Sequence, residues 1–135
     1  MKLLLDTQTW FWWMMGSPRL SLPARAAIAD AGNDPLVSAA SVLELLGKRR
    51  IGVLPAMQRL ADHVDDEIDE AGFGRLPITT QHAARAETFA GAHADPFDRI
   101  LIAQALIEDI VLVSNETFYD RFGVRRLWDA AISPG

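Results

Sequence analysis

Ile110-Val111-Leu112-Val113-Ser114-Asn115-Glu116 is the stretch on which the fold turns. Its apolar residues follow one another with nothing polar between them. A strand with one wet face would alternate, so this run predicts a strand covered on both faces, as in a parallel sheet. Leu3-Leu4-Leu5, ending at Asp6, predicts another over 2–6, and Leu36-Val37-Ser38 a shorter one. Further strands are expected within 73–78 and near Val124–Leu127.

Helical stretches separate these runs. Residues 7–15 read as a helix stopped by Gly16-Ser17-Pro18. A second follows Ser21, with Pro23 in its first turn and Gly32 past its end. Ser41 starts a third, running to about Arg50. Met57, Leu60, Ala61, Val64 and Ile68 keep helical spacing, which predicts one helix over 55–71 closed by Gly72. Thr79 or Thr80 caps the next, Pro96 opens one that runs to about Glu108, and a short helix follows Glu116. Strands alternating with helices define an α/β fold with a mostly parallel central sheet.

The chain of 135 residues suits a single domain over 1–135, large enough for one buried core. It contains no cysteine, so disulfides and thiolate metal sites are excluded and a reducing cytoplasm is expected. The opening Met1-Lys2-Leu3-Leu4-Leu5 resembles the start of a signal peptide, but Asp6 interrupts it. Trp10 to Met15 is too short to span a bilayer, so no membrane association is expected. A net charge of −5 argues against a passive nucleic-acid binder, whose affinity rests on a basic surface. It does not exclude an enzyme acting on nucleic acid, where a metal ion supplies positive charge at the point of cleavage.

Asp6, Glu44, Asp98 and Glu116 stand where predicted strands hand over to predicted helices. In a parallel α/β sheet such strand ends gather along one edge, where these folds bind ligands. Each acid also has a local explanation. Ser41-x-x-Glu44 reads as a capping box, Asp95 before Pro96 as an N-cap, and Asp98 lies in a first turn where the helix dipole favours negative charge. Asp6 and Glu116 suit helix starts too. Yet Ser, Thr or Asn caps equally well without charge. Two unit charges about 4 Å apart repel by roughly 1 kcal/mol in water and about 4 at an effective dielectric near 20. If the fold brings these residues together, a hard divalent cation held by carboxylate oxygens explains them better.

The chain resembles the PIN-domain ribonucleases, and among them the VapC-type toxins of bacterial toxin–antitoxin pairs. The likeness lies in Leu3-Leu4-Leu5-Asp6-Thr7, Ser38-Ala39-Ala40-Ser41-Val42-Leu43-Glu44 and Leu76-Pro77-Ile78-Thr79. It continues in Asp95-Pro96-Phe97-Asp98-Arg99 with Ile102-Ala103-Gln104-Ala105, in Leu112-Val113-Ser114-Asn115-Glu116 and in Phe122-Gly123-Val124-Arg125-Arg126-Leu127-Trp128. The ordered set covers nearly the whole chain.

The resemblance implies a three-layer α/β/α sandwich and endonucleolytic cleavage of RNA with Mg²⁺, or Mn²⁺ in its place. It also implies a VapB-like antitoxin that blocks the site. Asp6, Glu44 and Asp98 match the three core acids, Asp95 is a secondary member, and Glu116 stands where many members have Asp. Gln8 stands where close relatives often carry His. On this reading Asp6 and Asp98 bind metal directly, Glu44 is a ligand or water-orienting base, and Glu116 holds a second ion or a metal-bound water. The alternatives are a phosphatase-like metal hydrolase and a non-catalytic PIN-like module that binds RNA or a partner. The first is weakened because Thr7 and Gln8 follow Asp6, where a common phosphatase type has a second aspartate two positions on.

Lys48-Arg49-Arg50 follows Glu44 by about one turn and is a candidate for RNA backbone contact, or else a solvated helix end. Arg99 either holds a phosphate or pairs with a carboxylate. Trp10, Phe11, Trp12, Trp13, Met14 and Met15 need one face in the core and leave the rest for a partner or homodimer surface. Base stacking by these rings ranks below packing. Among the histidines, only His93 is placed near the acids. The acidic run from Asp62 to Glu70 reads as a solvated helix face.

Overall fold

The computed structural model describes residues 1–48 and 55–129. Its centre is a five-stranded sheet in the order β3-β2-β1-β4-β5, with every pairing parallel. The strands are β1 (Lys2–Leu5), β2 (Asp34–Ser38), β3 (Gly74–Leu76), β4 (Val111–Val113) and β5 (Arg126–Leu127). The helices are α1 (Thr7–Met15), α2 (Leu22–Ala29), α3 (Ala39–Lys48), α4 (Pro55–Asp62), α5 (Val64–Glu70), α6 (Thr80–Glu87) and α7 (Pro96–Ile107). A 3-10 helix, Thr117–Phe122, joins β4 to β5.

The central strand shows why the sheet is covered on both sides. Leu3, Leu4 and Leu5 are all fully buried, yet they belong to different cores because successive side chains point to opposite faces. Leu3 and Leu5 join Trp10, Ile28, Leu45, Met57, Leu60 and Ile68 beneath α1 to α5. Leu4 joins Leu101, Ile102, Ala105, Leu112 and Tyr119 beneath α7 and the 3-10 helix. Each buried leucine or isoleucine contributes about 1.5–3 kcal/mol of burial free energy, so a polar residue at any of them would cost a large part of a domain's stability. The α/β/α sandwich follows directly.

Two expected elements differ. The helix over 55–71 is two helices, broken at His63, whose backbone leaves the helical region at φ −139° and ψ 39°. Asp65, Asp66 and Glu67 then crowd one first turn, where acids favour a new helix N-terminus. Leu60 and Ile68 enter the same core from either side of the break, so apolar spacing continues across it. The second difference is at α3, which begins at Ala39 rather than Ser41. Ser38 Oγ accepts the Ala40 N–H at 3.0 Å, and Ser41 lies fully buried inside the helix. Glu44 is therefore past the first turn and belongs to no capping box.

The aromatic stretch is taken up mostly by the core. Trp10 is 1% exposed, Trp12 packs on Trp128 with centroids 5.8 Å apart, and Trp13 packs on Phe73 at the same distance. Only Met15 is largely open. The acidic run is exposed as expected, with Asp65 and Asp69 holding Arg75 at 2.8 and 2.9 Å. Among the described residues no helix is long and apolar enough to cross a membrane.

Candidate active site

Strand order reverses direction at β1. The chain steps outward through β2 to β3, then returns to the other side of β1 as β4. Such a switch point opens a crevice beyond the carboxyl ends of the strands. Asp6 follows the end of β1, and Ser114 and Glu116 follow β4. Asp6, Glu44, Asp95, Asp98 and Glu116 line one cavity of about 200 Å³ there, together with Thr7, Gln8, Phe118 and Tyr119. The fold has brought together acids that are remote in sequence.

Asp6 is the deepest, at 4% exposed. It caps α1, its Oδ1 accepting the Thr9 N–H at 2.7 Å. Its own N–H donates to Val113 O at 3.2 Å, and Thr9 Oγ1 donates to the same carbonyl at 2.9 Å, so the start of α1 is fastened to β4. Burial pushes the Asp6 carboxyl above its ordinary value. Hydrogen bonds from Ser114 and Thr9 oppose that shift, and the charge of Glu116 adds to it. Ser114, fully buried, also accepts the Glu116 N–H at 3.0 Å, and thus links the acids on either side of the switch point.

Asp95 caps α7, accepting N–H groups of Phe97 and Asp98 at 2.8 and 3.4 Å. Asp98 lies in the first turn and is held from two sides. His93 Nε2 is 2.8 Å from its Oδ2, and the Tyr119 hydroxyl donates to its Oδ1 at 3.3 Å. Burial raises the Asp98 pKa, His93 lowers it by hydrogen bond and charge, and Asp95 raises it further. Tyr119 is pushed far upward by its own burial first, and then by the charges of Asp6, Asp98 and Glu44. Burial is the first cause of all three shifts, and the neighbouring negative charges add to each. Glu44 is half-buried, and Glu116 is exposed at the rim.

All the acidic donors here are carboxylate oxygens, the set that suits Mg²⁺ or Mn²⁺ rather than a soft metal. Among the described residues, however, no three acidic or histidine side chains already form a group that could hold a metal ion. Asp98 is turned toward His93 and Tyr119, and Asp6 toward Thr9. The donor chemistry of the cavity lining fits a hard cation.

The expected basic contacts divide. Lys48 ends α3, while Arg49 and Arg50 lie outside the described residues. Arg99 does not line the cavity. It sits against α6, its Nη1 3.7 Å from a carboxylate oxygen of Glu87. The sequence marks Ser41 only as a helix start, and it does not mark Thr7, Ser114 or Tyr119 as site residues. For Thr7 and Ser114, direct adjacency to a strand-end carboxylate is a usable signal. Tyr119 shows none, because a lone tyrosine in a short helix is usually core.

A sequence model of the PIN domain matches residues 3–124. The chain belongs to the PIN domain family, whose members are in general nucleases that use divalent metals. Its fold is also that of solved toxin–antitoxin assemblies. One chain of VapBC2 from Rickettsia felis, bound to a promoter DNA fragment, superposes with a TM-score of 0.70 at 15% identity, covering 96% of this chain and 100% of that one. DNA-bound VapBC from Salmonella typhimurium gives 0.69 at 20% identity over 94% and 97%. VapBC-1 from nontypeable Haemophilus influenzae gives 0.68 at 16% over 94% and 97%. At these identities the likeness is one of fold. No protein of curated function matches the chain by sequence.

Proposed function

We propose that this chain is a Mg²⁺- or Mn²⁺-dependent endoribonuclease acting as the toxin of a type II toxin–antitoxin pair. The observation that carries the reading is the cavity at the switch point, where five carboxylates from four segments converge on a family fold of nucleases. Asp6 and Asp98 would hold the cation, with Glu44 as a further ligand or as the base that orients the attacking water. A bound divalent ion supplies polarisation of the scissile phosphate and a water acidic enough to be deprotonated near neutral pH. Glu116, at the rim, acts at longer reach through water. Gln8 presents an amide to the same cavity, able to donate to a phosphoryl oxygen.

The 1–135 chain works as one PIN domain in the cytoplasm. Lys48, Arg49 and Arg50, shortly after Glu44 in the sequence, and Arg99, next to Asp98, are the candidates for contact with the RNA backbone. A VapB-like antitoxin is the partner, and a homodimer is the working form. The likeness to chains solved within VapBC assemblies supports the antitoxin.

The test is incubation with purified transfer, ribosomal and messenger RNAs, with and without Mg²⁺, followed by mapping of the cut ends. Discrete cuts that need the metal support the reading. Equal cutting in EDTA, or none of any RNA with Mn²⁺ present, overturns it.

A further inference from the structure

Beside the cavity lies a stack of rings that the proposed chemistry does not use. His93 packs flat on Phe118, with ring centroids 4.4 Å apart and planes 16° apart, and edge-on to Phe122 at 6.1 Å. Phe118 in turn packs on Tyr119 at 4.2 Å. The outer members of this stack, His93 and Tyr119, each bind one oxygen of Asp98. The imidazole is 17% exposed and the Asp98 side chain 21%, so neither partner is lost to bulk water.

From this geometry we infer that His93 is a positioning residue: it aims the Asp98 carboxylate at the cation, with Phe118 holding the imidazole in place. An ionised carboxylate only accepts hydrogen bonds, so the ring presents Nε2–H to Oδ2. Each oxygen keeps a second lone-pair direction for a metal. An Asp on an open helix start would sample several rotamers, and the clamp selects one before any ion arrives. Partners of this kind set ligand orientation, and their removal typically weakens metal binding about tenfold to a hundredfold. The 3-10 helix after β4 thereby gains a role: it carries both Phe118 and Tyr119 to Asp98.

This inference rests on Asp98 being a metal ligand, and the experiment separates the two claims. Mn²⁺ affinity is measured by calorimetry, without RNA, on the full chain and on His93→Phe, His93→Gln and His93→Ala. His93→Phe preserves stacking on Phe118 but removes the donor. Affinity should fall about tenfold or more in His93→Phe and His93→Ala, while the amide N–H of His93→Gln restores much of it. Circular dichroism checks that each variant is folded, and His93→Ala serves if the phenylalanine is not accommodated. Wild-type affinity in a folded His93→Phe or His93→Ala overturns the positioning role alone. No Mn²⁺ binding by the unaltered protein overturns both claims.

Discussion

Thr7 Oγ1 donates a buried hydrogen bond of 3.0 Å to Ser41 Oγ, and so ties the first turn of α1 to α3. Thr7 directly follows Asp6, and Ser41 lies one helical turn before Glu44 on the same face. A hydroxyl pair thus braces the relative placement of two acids from different segments of the sequence. Neither hydroxyl is free to seek water, since Thr7 is 6% exposed and Ser41 fully buried.

Thr7→Val should therefore destabilise the protein by about 1–2 kcal/mol, because Ser41 loses its buried partner while side-chain volume is nearly conserved. Urea unfolding measures the change. The rise in melting temperature caused by Mn²⁺ should also shrink, as Glu44 loses its fixed relation to Asp6. An unaltered unfolding midpoint would show that the bond contributes nothing.

Asp6 both caps a helix and faces the cavity, and two substitutions separate these duties. Asp6→Asn keeps a competent N-cap and removes the charge, so the fold should survive while RNA cutting and the metal-induced stabilisation disappear. Asp6→Ala should lose these and, in addition, about 1 kcal/mol from the missing cap. Full activity in Asp6→Asn would remove Asp6 from the catalytic set.

The carboxyls of Asp6 and Asp98 are both raised above their ordinary value of 3.8 in the folded state, chiefly by burial. A raised carboxylate binds its proton more tightly when folded than when unfolded. Its stabilising contribution is full below the unfolded value and is lost as pH rises through the higher folded one. Without metal, the protein should thus lose stability as pH climbs from about 4 through the folded values of these groups, and Asp6→Asn should flatten the profile. With Mn²⁺ the order reverses, since metal binding needs the deprotonated ligands. Thermal melts across pH, with and without Mn²⁺, test both slopes. A metal-free profile identical in Asp6→Asn and wild type would contradict the account.

Glu116 stands at the rim and reaches the cavity on a long side chain. Glu116→Asp should keep substantial cutting activity, and Glu116→Ala should lower kcat less than Asp6→Ala does. Single-turnover assays on a mapped RNA site make the comparison. Loss at Glu116→Ala as complete as at Asp6→Ala would make Glu116 a direct ligand.

What could be read from the sequence was local in origin. The uninterrupted apolar runs marked β1 and β4, since only a strand covered on both faces omits polar alternation. Ser21, Thr79 and Asp95 announced helix starts because a cap is made with backbone groups two or three residues away. The same locality produced the errors. Ser41-x-x-Glu44 has the spacing of a capping box, but a serine three residues earlier took the cap. The break at His63 left no mark in an apolar pattern that both α4 and α5 satisfy.

The amino-acid sequence by itself determined the α/β class, the order of elements and the acids worth watching, because short-range propensities and burial patterns encode these. Only the tertiary structure decided that the acids share a cavity. That depends on β4 returning beside β1, a pairing between segments more than a hundred residues apart. It also decided that His93 and Tyr119 would meet at Asp98, which requires a loop before α7 and a helix after β4 to pack against each other. Such contacts depend on the geometry of the assembled sheet and its packed layers, and no residue's immediate neighbours specify them.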